Sequence, residues 1–154
     1  MPDKKISPYG SWVSPITAEL ITQGGLRLGE VRVDGTDIYW LEGRPEESGR
    51  HVVVRRTSDG SVTDINPTPF NARNAVHEYG GASFAVRDGV VYFANWDDQR
   101  IYSVAENSSP VPITAEPDID QGDRYADLIL SNDSNWILCV RERHFEDREA
   151  DNEL

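Results

Sequence analysis

The chain has 154 residues, 38% of them hydrophobic and 27% charged, which suits one domain with a core of its own. No apolar run approaches the roughly 18 residues that a membrane span needs, and 27 acidic against 15 basic side chains give a formal net charge of -12. A surface this negative repels phosphate backbones and anionic lipid, so no nucleic acid and no membrane are expected as partners.

The first ten residues, MPDKKISPYG, carry two lysines with no apolar stretch behind them, so no secretory signal is read and a cytoplasmic location is expected. Cys139 is the single cysteine, which excludes an internal disulfide and a multi-cysteine zinc site. Residues 1–26 read as an N-terminal extension. Within it Ser14 suits an N-cap, Pro15 a first helical position and Gly24-Gly25 a left-handed stop. With Ile16, Leu20 and Ile21 as the apolar stripe, the pattern predicts one helix over 15–23.

From Leu28 onward the grammar is that of short strands broken by Gly, Asp, Asn and Pro. A first set covers 28–33, 37–42, 52–56 and 62–65, with turns at Asp34-Gly35 and Asp59-Gly60. A second covers 82–86, 90–95, 101–104 and 111–114, with a turn at Asp88-Gly89. A third begins at 126–130 and 136–140. Ile38-Tyr39-Trp40, Val91-Tyr92-Phe93 and Trp136-Ile137-Leu138 fall at the same place in each set, and four strands repeated every 40 to 50 residues or so are the sequence form of a β-propeller blade. A β-sandwich is the alternative that periodicity leaves open. The expected class is all-β: an incomplete β-propeller of about two and a half four-stranded blades over 27–154, preceded by one short helix. Since propellers close with about 4 to 8 blades, the reading is a piece of a larger protein. An open array exposes apolar blade faces and should associate, and the carboxylate-rich stretch 142–154 should be the least ordered.

The search for chemistry returns mostly negatives. Gly81-Ala82-Ser83-Phe84-Ala85 lacks the second glycine of a nucleophile elbow, and Ser83 falls inside an expected strand. His77-Glu78 is followed by Tyr79-Gly80-Gly81 rather than by a second histidine on a helix, so no zinc site is read. Asp118, Asp120, Asp123 and Asp127 miss the register of a calcium loop and read as a solvated acidic stretch. His51 and His144 sit beside arginines on expected surface strands or turns. Tyr9, Trp12, Trp40, Phe84, Tyr92, Phe93, Trp96 and Tyr102 read as rings that fill the space between sheets. No catalytic residue, metal ligand or cofactor is assigned.

Several motifs in one order carry a resemblance: Tyr9-Gly10-Ser11-Trp12, Ser14-Pro15-Ile16-Thr17, Asp37-Ile38-Tyr39-Trp40-Leu41-Glu42 with Arg44-Pro45, His77-Glu78-Tyr79-Gly80-Gly81, and Arg124-Tyr125-Ala126-Asp127. Over nearly its whole length the chain resembles the N-terminal part of prolyl oligopeptidase family (S9) serine peptidases, nearest the dipeptidyl aminopeptidase and acylaminoacyl-peptidase branch. The resemblance implies a propeller, usually of seven blades, that restricts access to an internal chamber, and a C-terminal α/β-hydrolase domain that carries Ser, Asp and His. It implies short peptides as substrates, with that hydrolase domain as the partner absent from this sequence. On that reading this chain alone is inactive. The alternative is a non-catalytic propeller that serves as an interaction or ligand-binding module.

In a propeller the first strand of each blade lines the central channel. Glu78, just before the second blade, is therefore the first candidate to contact substrate, and Arg124 and Asp127 at the approach to the third blade are the next. The resemblance implies that such a carboxylate holds a peptide's α-ammonium group, with a structural corner between blades as the alternative role for His77, Glu78 and Tyr79.

Overall fold

The computed structural model describes residues 6–18, 20 and 25–154, and within them three antiparallel meander sheets account for nearly all regular structure. The first blade is β1 (Arg27–Asp34), β2 (Asp37–Arg44), β3 (Arg50–Arg56) and β4 (Val62–Asp64), hydrogen-bonded in chain order. The second is β5 (Phe84–Arg87), β6 (Val90–Ala94), β7 (Ile101–Val104) and β8 (Val111–Pro112), again in chain order. The third holds three strands, β9 (Asp123–Leu130), β10 (Ile137–Arg143) and β11 (Asp151–Glu153). The first strands are the mutual neighbours: β5 lies against β1 on one side and β9 on the other. Radial sheets that meet along their first strands make an incomplete β-propeller.

Side-chain alternation in the middle blade builds both of its interfaces. Phe84, Val91, Phe93 and Val104 point one way and bury against Tyr39, Leu41 and Val53 of the first blade. Ala85 and Ile101 point the other way and bury against Tyr125 and Leu128 of β9. Period-2 alternation thus serves two cores from one sheet. The far faces of the outer blades have no such cover: Leu28, Val31 and Val33 on β1, and Ile129 and Leu138 of the third blade, are exposed. Polar side chains complete the first blade. Glu42 accepts from Trp40 Nε1 at 2.9 Å and from Arg44 Nε at 3.0 Å, and Arg55 pairs with Asp37 at 2.6 Å. The motif from Asp37 to Arg44 is therefore an architectural one.

Five expectations need correction. The helix cap is Thr17 rather than Ser14: Leu20 N–H donates to Thr17 Oγ1 at 3.1 Å, while Ser14 Oγ accepts from Ile16 N–H at 3.0 Å in a turn. Ala18 and Leu20 are helical, Pro15 precedes the helix, and 19 and 21–24, with the expected glycine stop at Gly24, lie outside the described residues. β5 starts at Phe84 instead of Ala82, because the amides of Ala82 and Ser83 are given to side chains of neighbouring blades. β9 starts at Asp123 instead of Ala126, since Asp123 to Tyr125 pair with Arg143 to Arg141, so Arg124 is a strand residue. The stretch from Glu142 is no loose tail: Glu142 is 7% exposed on β10, and 151–153 form β11. Two of the rings assigned to the core, Tyr9 and Trp12, are exposed, whereas Phe84 and Phe93 are fully buried.

Candidate functional site

The lead-in to the second blade, from Asn74 to Ser83, is irregular backbone pinned by many hydrogen bonds. His77 and Glu78 both take left-handed conformations, at φ 54 and 65, which cost a residue with a Cβ roughly 1–2 kcal/mol each. Their hydrogen bonds hold them there. His77 N–H donates to Glu142 Oε2 at 3.0 Å, Glu78 N–H to Ala75 O at 2.9 Å and Gly80 N–H to Val76 O at 2.9 Å. Asn74 closes the loop from inside, accepting from Gly81 N–H at 2.9 Å and donating to Gly81 O at 3.1 Å.

The two glycines answer to space. A Cβ on Gly80, at φ +76, would stand 2.8 Å from Asn74 O, and one on Gly81 would stand 2.9 Å from Asp127 Oδ1. Substitution at either position meets an obstacle, backbone in the first case and an engaged carboxylate in the second.

This loop presents Glu78 to solvent. The Glu78 side chain is 75% exposed, and its Oε1 accepts from Arg124 Nη1 at 2.7 Å. That hydrogen bond holds the Glu78 carboxyl below its ordinary range, so it is an anion at neutral pH. Arg124 itself is largely buried. Its Nη1 also donates to Ala75 O at 3.0 Å and lies 3.7 Å from Glu142 Oε2, while its Nε is buried without a partner. Arg124 and Glu142 face each other across β9 and β10. His144 Nε2 is 3.2 Å from Glu142 Oε2 but lacks the alignment of a hydrogen bond, and His77 Nε2 meets Asn152 Oδ1 at 2.6 Å.

Asp127 sits on the same side of the lead-in. It takes φ 57 at a bulge in β9, its N–H donates to Ala82 O at 2.8 Å, and its Oδ1 accepts from Ala82 N–H at 2.9 Å. Glu30 does the same from the other side: it takes φ 48 at a bulge in β1, and both its carboxylate oxygens accept from Ser83 N–H, at 3.0 and 2.9 Å. Burial raises the Glu30 carboxyl above its ordinary value against the pull of those bonds.

The structure thus brings Glu78, Arg124 and Asp127 to one lead-in, and adds Glu142, Glu30, Asn74 and Asn152, which sequence reasoning did not single out. Only the register that sets Arg124 opposite Glu142 reveals the pairing, and nothing in the run of carboxylates after Val140 marks one as buried. His51 is half-buried rather than a surface residue, on β3. Ser83 is buried just ahead of β5, with its N–H committed to Glu30. Among the described residues no cluster of His, Cys, Asp and Glu has metal-binding geometry, and no helix is long and apolar enough to cross a membrane.

Three meander sheets packed around their first strands, with a strained lead-in that offers a paired carboxylate, define a β-propeller segment. Solved structures place it further. The chain is 41% identical over 92% of its length to a puromycin-hydrolyzing peptidase of Mycobacterium tuberculosis, with a TM-score of 0.83. It is 35% identical over 89% of its length to a puromycin hydrolase, with a TM-score of 0.77. To a serine-to-alanine mutant of puromycin hydrolase complexed with PGG it is 34% identical over 89%, with a TM-score of 0.78. The chain spans 22% of the length of each of these proteins. No protein-family model matches it, and neither does any curated protein. Both the backbone and the motifs are those of the N-terminal propeller part of prolyl oligopeptidase family (S9) peptidases.

Proposed function

We propose that this chain forms the first blades of a propeller that governs the access of short peptides to an α/β-hydrolase domain, and that Glu78 holds the substrate's α-ammonium group. The observation that carries the reading is the 41% identity to a puromycin-hydrolyzing peptidase across 92% of the chain. The state of Glu78 supports it. An exposed carboxylate kept anionic by Arg124 is a ready partner for a cation, and a charge-assisted bond would orient the peptide toward the serine nucleophile. Arg124 serves as the positioning residue, held by Ala75 O and Glu142 so that its guanidinium steers Glu78. Asp127 offers a second carboxylate nearby, one oxygen of which is committed to Ala82. The names of the relatives make puromycin the first non-peptide substrate to try.

The test is Glu78→Gln in the polypeptide carrying its hydrolase domain. The expected result is a fall in kcat/KM of roughly tenfold or more for peptides with a free amino terminus and little change for N-acylated ones, since only the former lose a charged contact. Equal losses for both would assign Glu78 to the corner between blades. The 154-residue chain alone should turn over neither aminoacyl nor dipeptidyl chromogenic substrates. Turnover abolished by a serine-directed phosphonate would overturn that expectation.

A further inference from the structure

On the opposite side of the lead-in from Arg124, a cleft of about 450 Å³ opens between the first blade and the segment from Arg73 to Ser83. Its size lies within the range of roughly 300–1,000 Å³ usual for small-molecule sites. Its charge is unlike that of the rest of the chain. In a protein with a net charge of -12, most arginines are taken up by carboxylates or backbone carbonyls, as Arg44, Arg55 and Arg100 show. Arg27 and Arg73, which both line this cleft, have no acidic partner among the described residues. The Arg73 guanidinium lies 4.3 Å from the Trp96 ring centroid, which restrains the side chain while leaving its N–H edge free.

His51 lines the same cleft, and its Nδ1 is buried with no hydrogen-bond partner. An unmet buried polar atom beside a cleft marks a place where a ligand atom is wanted. Burial, with Arg73 and Arg27 adding to it, pushes the His51 pKa down, so the imidazole is neutral and can carry a proton on Nδ1 to donate. Glu30 also lines the cleft, but both its oxygens accept from Ser83 N–H and its charge is disfavoured by burial. Its partners are thus Ser83 and, at 4.0 Å, Arg32 rather than Arg27 or Arg73.

We propose that this cleft binds a small molecule that ends in an oxyanion, carboxylate or phosphate, held by Arg27 and Arg73 with His51 as a neutral donor. The site is independent of the peptidase reading and stands whether or not Glu78 touches a substrate.

Isothermal titration of the chain with N-acetyl-glycyl-glycine, with the C-terminal amide of that compound and with inorganic phosphate tests the proposal. Saturable binding of the free acid, with the amide weaker by on the order of tenfold, is the expected result for a carboxylate ligand. Phosphate that binds more tightly than the acid assigns the site to phosphate-bearing molecules instead. Arg27→Gln and Arg73→Gln should each weaken the preferred anion by about tenfold, while Arg56→Gln, an exposed arginine outside the cleft, should not. Absence of saturable binding by either anion, equal binding of acid and amide without phosphate binding, or equal loss in all three variants overturns the proposal. If a cleft variant does not fold by circular dichroism, the three-ligand comparison on the unsubstituted chain decides alone.

Discussion

The middle blade is joined to its two neighbours by apolar clusters of different size. Toward the first blade it presents an aromatic and aliphatic face, with Phe93 stacked on Tyr102 at 5.8 Å and Phe70 edge-on to both. The polar groups there mix neutral amides with charged side chains: Glu30 and Asp34 accept from Ser83 and Gly89 N–H, and Arg55 pairs with Glu106. Asn66 accepts from Val53 N–H at 2.7 Å, Asn95 from Asn71 N–H at 3.0 Å and Gln99 from Ala75 N–H at 2.8 Å. Toward the third blade the apolar cluster is smaller, and the ties are the ionised groups of Arg124, Glu142 and Asp127. The larger apolar cluster makes the first interface the stable one. The second relies more on its charged side chains, and the candidate substrate contact lies beside it.

The largest expected effect comes from breaking the apolar interface. Phe93→Ala removes a fully buried ring and should cost about 3–5 kcal/mol, read from urea unfolding. Leu128→Ala in the smaller cluster should cost less, about 2 kcal/mol, because several of its neighbours are only partly buried. A Leu128→Ala loss that matches that of Phe93→Ala would erase the distinction between the interfaces.

Glu142→Ala sharpens the contrast from the charged side. It leaves His77 N–H without its acceptor and takes from Arg124 one of its two neighbouring carboxylates, at an expected cost of about 1–3 kcal/mol. Amide exchange should quicken at His77 while the Asn66 network keeps its protection. Uniform acceleration in both places would show that the two interfaces open as one.

The smallest effect concerns what the outer blades share. Asp59 in the first blade and Asp133 in the third each cap a turn, accepting from Thr57 Oγ1 and Ser61 N–H in one case and from Ser131 Oγ and Asn135 in the other. These bonds lower both carboxyls from 3.8 to about 2. A depressed folded-state pKa stabilises above the unfolded value, so the contribution is complete above pH 3.8 and is lost as the pH falls through about 2. Carboxyl carbon shifts should titrate near 2 at both sites. Midpoints near 4 would mean that the turns are not closed in solution.

The blades were legible because a meander repeats a local pattern: alternating apolar residues and Asp-Gly turns locate β1 to β7 within a residue or two at most ends. What escaped was set by partners far away in sequence. β5 and β9 begin where side chains and cross-strand neighbours place them, and neither leaves a local mark. Glu142 reads as one acid among many until β9 lies beside it, since register alone turns a carboxylate inward. The His77 to Gly81 motif marks a corner between blades, but nothing in it says that Asn74 and Glu142 hold it. Tyr9 and Trp12 were misjudged because apolar character says what a residue prefers to bury, not whether a surface is there to receive it.

The matched bulges of β1 and β9 bear on how similar sheets find their places in a ring. Apolar faces are forgiving, and one blade's valines fit another's nearly as well. A bulge that aims a carboxylate at one particular amide is not. Glu30 takes Ser83 from one side and Asp127 takes Ala82 from the other, so the longer acid reaches one residue further along the same lead-in. A blade seated in the wrong slot, or slipped by one residue, would leave the buried Ser83 amide without Glu30 and Asp127 without its amide. The two clasps therefore distinguish between neighbours that greasy surfaces cannot tell apart.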